Sequence, residues 1–188
     1  MLAAGAGRRM GGPKALVELD GEPLVRRALK ALDEGGCHPL LVVVGAAAGA
    51  VRAQLPPGAV AVEAPHWTEG MGASLRAGLD ALAALDPPPP AALVHLVDLP
   101  GVTAAVVARL AAASGIGALV RASYGGRPAH PVLIGRRHWD GVRATATGDA
   151  GARRYLAGHP DLALVECGDL AEPDDVDTPE QLARFRDR

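Results

Sequence analysis

The feature that most constrains this chain is an alternation. Short apolar runs of strand length, rich in valine and leucine, are separated by segments whose apolar residues recur at helical spacing. Parallel neighbouring strands need a long crossover, usually a helix, so this pattern predicts an α/β fold with a mainly parallel sheet and helices on both faces. At 188 residues the chain has the length of one ordinary domain, and 1–188 is read as a single unit.

The first strand is expected from Met1 to Ala4, a helix from Pro23 to about Leu32 with Gly35-Gly36 as its stop, and a second strand from Leu40 to Val44. A short helix before Pro56-Pro57 leads to a strand near Val60 to Glu63, and Gly72 opens a helix that buries Leu75, Leu79 and Leu82. The proline run at 87–90 reads as a stiff connector into the strand ALVHLV, which ends at Asp98, with a helix near 104–113 beyond it. In IGALVRASYGGRPAHPVLIG, two apolar runs flank Tyr124-Gly125-Gly126-Arg127, the pattern of a hairpin, so a small antiparallel excursion is expected beside the parallel sheet. ALVEC reads as a last strand. Thr178-Pro179-Glu180-Gln181 announces a final helix through a capping box.

Chemistry is concentrated in the opening stretch, MLAAGAGRRMGGPK. A dinucleotide fingerprint starting at Gly5-Ala6-Gly7 needs glycine where Met10 stands, and a Walker loop from Gly7 to Gly12 needs Lys-Ser or Lys-Thr where Pro13-Lys14-Ala15 stands. Both fail. A strand running into glycines still exposes backbone N–H groups at the carboxyl edge of a parallel sheet, where such folds bind ligands. The loop is therefore either an anion cradle or a surface turn with incidental basic residues. Lys14 and Lys30 are the only lysines among 19 basic residues, so a lysine beside the glycines suggests a compact charge for a phosphate. Arg8 and Arg9 add to it.

Two carboxylates complete the pattern. Asp98 follows the strand ALVHLV and would face the same edge, either as a magnesium ligand or as a turn cap before Pro100; Asp177 is either a second ligand or a helix-entry acid. The formal net charge of −2 excludes the strongly basic face of a nucleic-acid binder. Cys37 and Cys167 form no ligand spacing, and no apolar run is long enough to span a bilayer, so a soluble cytoplasmic protein is expected.

The segments LAAGAGRRMGGPK, HWTEGMGASLRAGL, VDLP, AHPVL, GDAGARRYL and DVDTPEQL, in this order and over nearly the whole chain, resemble the MobA-like NTP transferases, in particular the molybdenum cofactor cytidylyltransferases. The resemblance implies a Rossmann-like nucleotidyltransferase fold in which Leu2, Ala3, Ala4, Gly5, Gly7, Arg8, Arg9 and Lys14 hold the nucleotide. It implies Mg2+ on Asp98 and Asp177, with Lys14 and Asp98 as the catalytic pair. Gly70, Gly72, Ser74, His130 and Asp149 would receive a phosphorylated pterin-type acceptor, and a molybdenum oxidoreductase is the implied client. Ala4, where guanylyltransferase relatives carry glycine, favours CTP over a purine nucleotide. The sequence departs from the family in placing Met1 directly before Leu2, which implies either a start site downstream of the usual one or a tolerated clipped strand, and in reading Ala129-His130-Pro131 and Asp98-Leu99-Pro100 where Gly-His-Pro and Asp-Met-Pro are frequent. Two other readings remain open. One is an NAD(P)H-dependent oxidoreductase on the same fold, the other a noncatalytic protein that delivers a cofactor.

Overall fold

The computed structural model describes residues 1–186. Strand β1 (Leu2–Ala3) enters the glycine loop, which leads to a tiny hairpin of β2 (Glu18–Leu19) and β3 (Glu22–Pro23) that the sequence reading missed. Its turn residues, Asp20 and Gly21, both have positive φ, the backbone a two-residue hairpin of matching twist requires. Helix α1 (Leu24–Glu34) follows, then β4 (Leu40–Val44), α2 (Ala48–Arg52), β5 (Ala59–Glu63), α3 (Met71–Ala83) and β6 (Ala91–Val94). The rest comprises α4 (Ala104–Ala111), β7 (Leu119–Tyr124), β8 (Arg127–Gly135), α5 (Trp139–Thr145), α6 (Arg153–Leu156), β9 (Ala163–Glu166) and α7 (Pro179–Arg186).

Strands β5, β4 and β1 pair in parallel, and β6, β8, β7 and β9 form a second ladder. The two are joined where the Leu2 amide donates to the His95 carbonyl at 2.9 Å and the Val97 amide to the Leu2 carbonyl at 3.2 Å. The resulting order is β5-β4-β1-β6-β8-β7-β9, and β8 alone runs against the others. The expected antiparallel excursion is thus one reversed strand inside the sheet, made possible by Gly125 and Gly126, both at positive φ. The Glu166 carboxylate locks that turn by accepting from the amides of Gly126 and Gly125 and from Gly168, bonds that hold its pKa down at about 2.

Alternation along the strands divides the apolar side chains between two layers. On one face α1 lays Leu24, Val25, Ala28, Leu29 and Leu32 against α4, so closely that a methyl on Gly35 would meet Val107. On the other face Leu75 and Leu79 of α3 pack with Val132 and Ile134 of β8 and with Trp139 of α5, whose indole N–H donates to the Ile134 carbonyl. Burying either stripe stabilises the fold by roughly 1.5–3 kcal/mol per large aliphatic side chain. Among the described residues no helix is long and apolar enough to cross a membrane.

Two boundaries differ from expectation. The first strand is shorter, Leu2–Ala3, and ALVHLV does not run as one strand to Asp98. Regular pairing of β6 stops at Val94, opposite Val132, because the next residue of β8 is Pro131, which has no N–H to donate. Beyond this break only Leu96 is bridged, to β1.

His95 sits at the break, completely buried, and among the described residues neither of its ring nitrogens has a hydrogen-bond partner. Burial, reinforced by nearby His130, lowers its pKa to about 3. An unfolded histidine takes its proton near pH 6.5, so protonation favours the unfolded chain as pH falls from about 6.5 towards 3. Stability should therefore drop by on the order of 2 kcal/mol between pH 7 and pH 5 through this residue alone. Denaturant titrations at both pH values should find His95→Leu at least as stable as the parent at pH 7 and less sensitive to acid. An unchanged pH slope would show that His95 is not the group responsible.

Candidate active site

The site is built at the carboxyl edge of the parallel strands. After β1 the chain turns at Gly7, whose φ is +58° and whose carbonyl accepts from the amides of Met10 at 2.8 Å and Gly12 at 3.3 Å. A methyl at Gly7 would run into the Gly12 carbonyl, so this position requires glycine. The amides of Ala6 and Gly7 have no backbone partner among the described residues and remain available to a ligand.

Lys14 follows on a single 3-10 turn, Lys14–Leu16. Its ammonium donates to Asp98 at 2.7 Å and also to Asp177. Asp98 is delivered by the segment after the β6 break. Asp177 is delivered by the acidic loop, which returns over the sheet edge because the Val176 amide donates to the Asp98 carbonyl at 2.9 Å. The expected capping box then holds the loop: the amides of Asp177 and Thr178 donate to the Gln181 side-chain oxygen at 2.8 and 2.9 Å, and the Gln181 amide donates to Thr178 Oγ1. Arg9, though largely exposed, reaches the second oxygen of Asp177 at 2.8 Å.

Burial opposes the charge of Lys14, but its bonds to Asp177 and Asp98 outweigh that penalty and raise its pKa. The hydrogen bond from Lys14, supported by Arg9, holds the Asp177 carboxyl below its usual range. Lys14 and Asp177 are therefore both ionised at neutral pH.

These residues line a cavity of about 620 Å³. One wall contains Leu2, Ala3, Ala4, Gly5, Gly7 and Arg8; Lys14, Arg9, Asp98 and Asp177 stand at one end. Gly70, Ser74 and Asp149 form the far wall with Trp67, Thr68 and Met71, which sequence reasoning passed over. Gly45 admits Trp67, since a side chain there would occupy the place of the indole. Gly70, at φ +110°, touches Gly148 and Asp149, drawing the start of α3 onto that loop.

Two expected acceptor residues lie elsewhere. Gly72 does not line the cavity; it is the point where α3 meets the Ala146 backbone, leaving no room for a side chain. His130 lines an adjoining chamber of about 180 Å³ that shares Leu2, Met71, Leu96 and Asp149 with the main cavity. Burial lowers the His130 pKa to about 4, and its Nδ1 lies 3.4 Å from the Val94 carbonyl. At neutral pH it offers a ligand a hydrogen bond, not a positive charge.

A separate cleft of about 250 Å³ opens at the opposite edge, between Leu41 and Leu93, and no lysine, arginine or carboxylate lines it. The ionic side chains are gathered in the Lys14 cavity and the chamber that adjoins it.

Comparison with known proteins agrees with this geometry. The family model of the MobA-like NTP transferase domain matches residues 1–163. The chain is 41% identical to nicotine blue oxidoreductase of Paenarthrobacter nicotinovorans, covering 98% of this chain and 94% of that protein. It is 31% identical to molybdenum cofactor guanylyltransferase of Rhodobacter capsulatus, covering 100% of this chain and 94% of that protein. Its structure superposes on Rv0371c of Mycobacterium tuberculosis H37Rv with a TM-score of 0.80 and 28% identity, covering 100% of this chain and 95% of the other; a manganese complex of Rv0371c gives 0.74 at 26%, covering 99% and 95%. A sheet edge carrying the glycine loop, with Lys14 and two aspartates drawn onto it, on a chain matched over most of its length, places this protein in the MobA-like NTP transferase family.

Proposed function

We propose that the protein transfers a nucleotidyl group from an NTP, CTP in the first instance, to a phosphorylated pterin-type acceptor of the molybdenum cofactor class. The observation that carries this reading is the convergence of the glycine loop, Lys14, Asp98 and Asp177 on one cavity. In the proposed reaction an oxygen of the acceptor phosphate attacks the α-phosphorus, the bond from the α-phosphorus to the bridging oxygen breaks, and pyrophosphate leaves with the electron pair. Free amides of the loop and the cations Arg8 and Lys14 stabilise the leaving charge. Ala4, buried against the cavity, puts a methyl where a purine would need close approach, which supports cytidine. A molybdenum oxidoreductase is the proposed client.

Asp98 and Asp177 are the proposed holders of Mg2+. Two hard carboxylates with no third His, Cys, Asp or Glu beside them among the described residues suit a cation that completes its shell with phosphate oxygens and water. Bound there, the cation would neutralise developing phosphate charge. In the free protein the Lys14 ammonium bridges both carboxylates, so lysine and metal compete for the same oxygens. A triphosphate resolves the competition by giving Lys14 another anion to pair with.

A second reading is favoured by the 41% identity to nicotine blue oxidoreductase, higher than the identity to the guanylyltransferase. In it the cavity holds NAD(P)H and the chain reduces an organic acceptor. A noncatalytic delivery protein would bind nucleotide and do neither.

Pyrophosphate release with each NTP and a molybdopterin-type acceptor, run beside NAD(P)H oxidation, decides among them: pyrophosphate is expected, and nicotinamide oxidation without it overturns the proposal. Asp98→Asn should lower turnover by about 10² to 10³ in a variant that still folds, and near-parental activity would remove Asp98 from the reaction. Lys14→Met should bind Mn2+ more tightly than the parent in the absence of nucleotide, measured by the electron spin resonance of the free ion. Weaker or equal binding would contradict the competition between lysine and metal.

A further inference from the structure

The chain carries two tryptophans, two tyrosines and one phenylalanine. Four of these rings are built into the fold. Trp139 is buried with its N–H on the Ile134 carbonyl, and Tyr124 is buried with its hydroxyl on the His130 carbonyl. Tyr155 packs on His159 with ring centroids 4.8 Å apart, and Phe185 closes on Gly101. Trp67 differs from them: it is partly exposed, and it alone of the five lines the main cavity.

Its place is fixed by backbone. A 3-10 turn, Trp67–Glu69, carries it; the Trp67 amide donates to the Ala64 carbonyl at 3.1 Å, and the Trp67 carbonyl accepts from the Gly70 amide at 3.1 Å. The pyrrole side of the indole lies over Gly45, where a methyl group would come within 2.8 Å of Cδ1. Gly45 follows β4 directly, and its neighbour Ala46 donates its amide to the Ala4 carbonyl at 3.0 Å. The indole is thereby tied to the loop that carries Ala4. In the sheet, β5 and β4 bring Trp67 to one side of the glycine loop, while β6 brings Asp98 to the other. Neighbouring strands lie about 4.8 Å apart, so the three intervals from β5 to β6 separate the aromatic end of the cavity from its ionic end by on the order of 14 Å. A nucleotide has the complementary distribution, with a flat base at one end and its phosphates at the other.

We propose that Trp67 is the platform on which the nucleobase stacks. The inference rests on the nucleotide reading of the main cavity and adds to it where the base lies. Stacking uses the face that every base has, so Trp67 favours nucleotides over bare phosphate compounds. Choice among the bases stays with groups that meet the base edge, Ala4 among them.

Calorimetric titration of the parent and of Trp67→Ala with CTP and with inorganic tripolyphosphate, both in the presence of Mg2+, separates base from phosphate. Trp67→Ala should weaken CTP by about tenfold or more and leave tripolyphosphate as in the parent. Trp67→Phe, which keeps a ring, should fall between. Tryptophan emission gives a second reading in the parent protein, even if a variant fails to fold: CTP should quench it through Trp67 at the cavity wall, and tripolyphosphate should not. Equal loss of CTP and tripolyphosphate in folded Trp67→Ala, parental CTP affinity in that variant, or quenching by tripolyphosphate as strong as by CTP overturns the inference. Loss of affinity for a free pterin with CTP affinity kept would put the acceptor's ring on Trp67 and overturn it likewise. Pyrophosphate release together with parental CTP affinity in Trp67→Ala would defeat the stacking assignment alone; a loss confined to CTP without any pyrophosphate release would defeat nucleotidyl transfer alone.

Discussion

One ammonium holds the ends of this protein together. Lys14 bonds to Asp98, 84 residues away, and to Asp177, 163 residues away, and so joins the glycine loop, the segment after β6 and the acidic tail. Each group is mostly buried, so losing one partner would strand the others' charge where solvent cannot fully screen it. The rest of the edge is arranged around this contact. The Val176 amide on the Asp98 carbonyl brings the tail into place, and the capping box fixes the backbone from which Asp177 extends.

The same interaction has a chemical consequence. Two carboxylates side by side repel each other, and Lys14 together with Arg9 balances their charge in the free protein. A nucleotide entering the cavity brings negative charge to the place where Lys14 and Arg9 already lie. On the proposed reading, binding would be coupled to a redistribution of ion pairs, with cations moving from carboxylate to phosphate and the carboxylates becoming available. The main cavity sets three cations, Arg8, Arg9 and Lys14, against three carboxylates, whereas the adjoining chamber is lined by Arg121 and Arg153 with the shared Asp149.

Much of the local structure was legible in the residues. Thr178 and Gln181 form their capping box because the motif closes within a single turn, and Gly125-Gly126 makes its hairpin because both residues adopt positive φ. Strand β4 matched its apolar run residue for residue. The failures arose where an element depended on its neighbours. The apolar run ALVHLV reads as one strand, but Pro131 on an adjacent strand ends its ladder at Val94. Gly72 looked like part of a binding loop, whereas its smallness serves the approach of α3 to the end of α5. Arg121 carried no signal, since an arginine inside an apolar run reads as a solvent-facing residue until the sheet shows which wall it joins.

By itself the sequence determined the periodicities, turns and caps, and with them an α/β fold carrying a glycine loop at a strand end, because these depend on interactions within a few residues. It also marked Lys14, Asp98 and Asp177 as chemically suited to phosphate and metal. That the three touch, and that Arg121, Arg153 and His130 line one chamber, only the tertiary structure decided. Contacts between residues so far apart in the chain are set by strand order and by the packing of helices on both faces, and neither quantity is encoded in any local stretch.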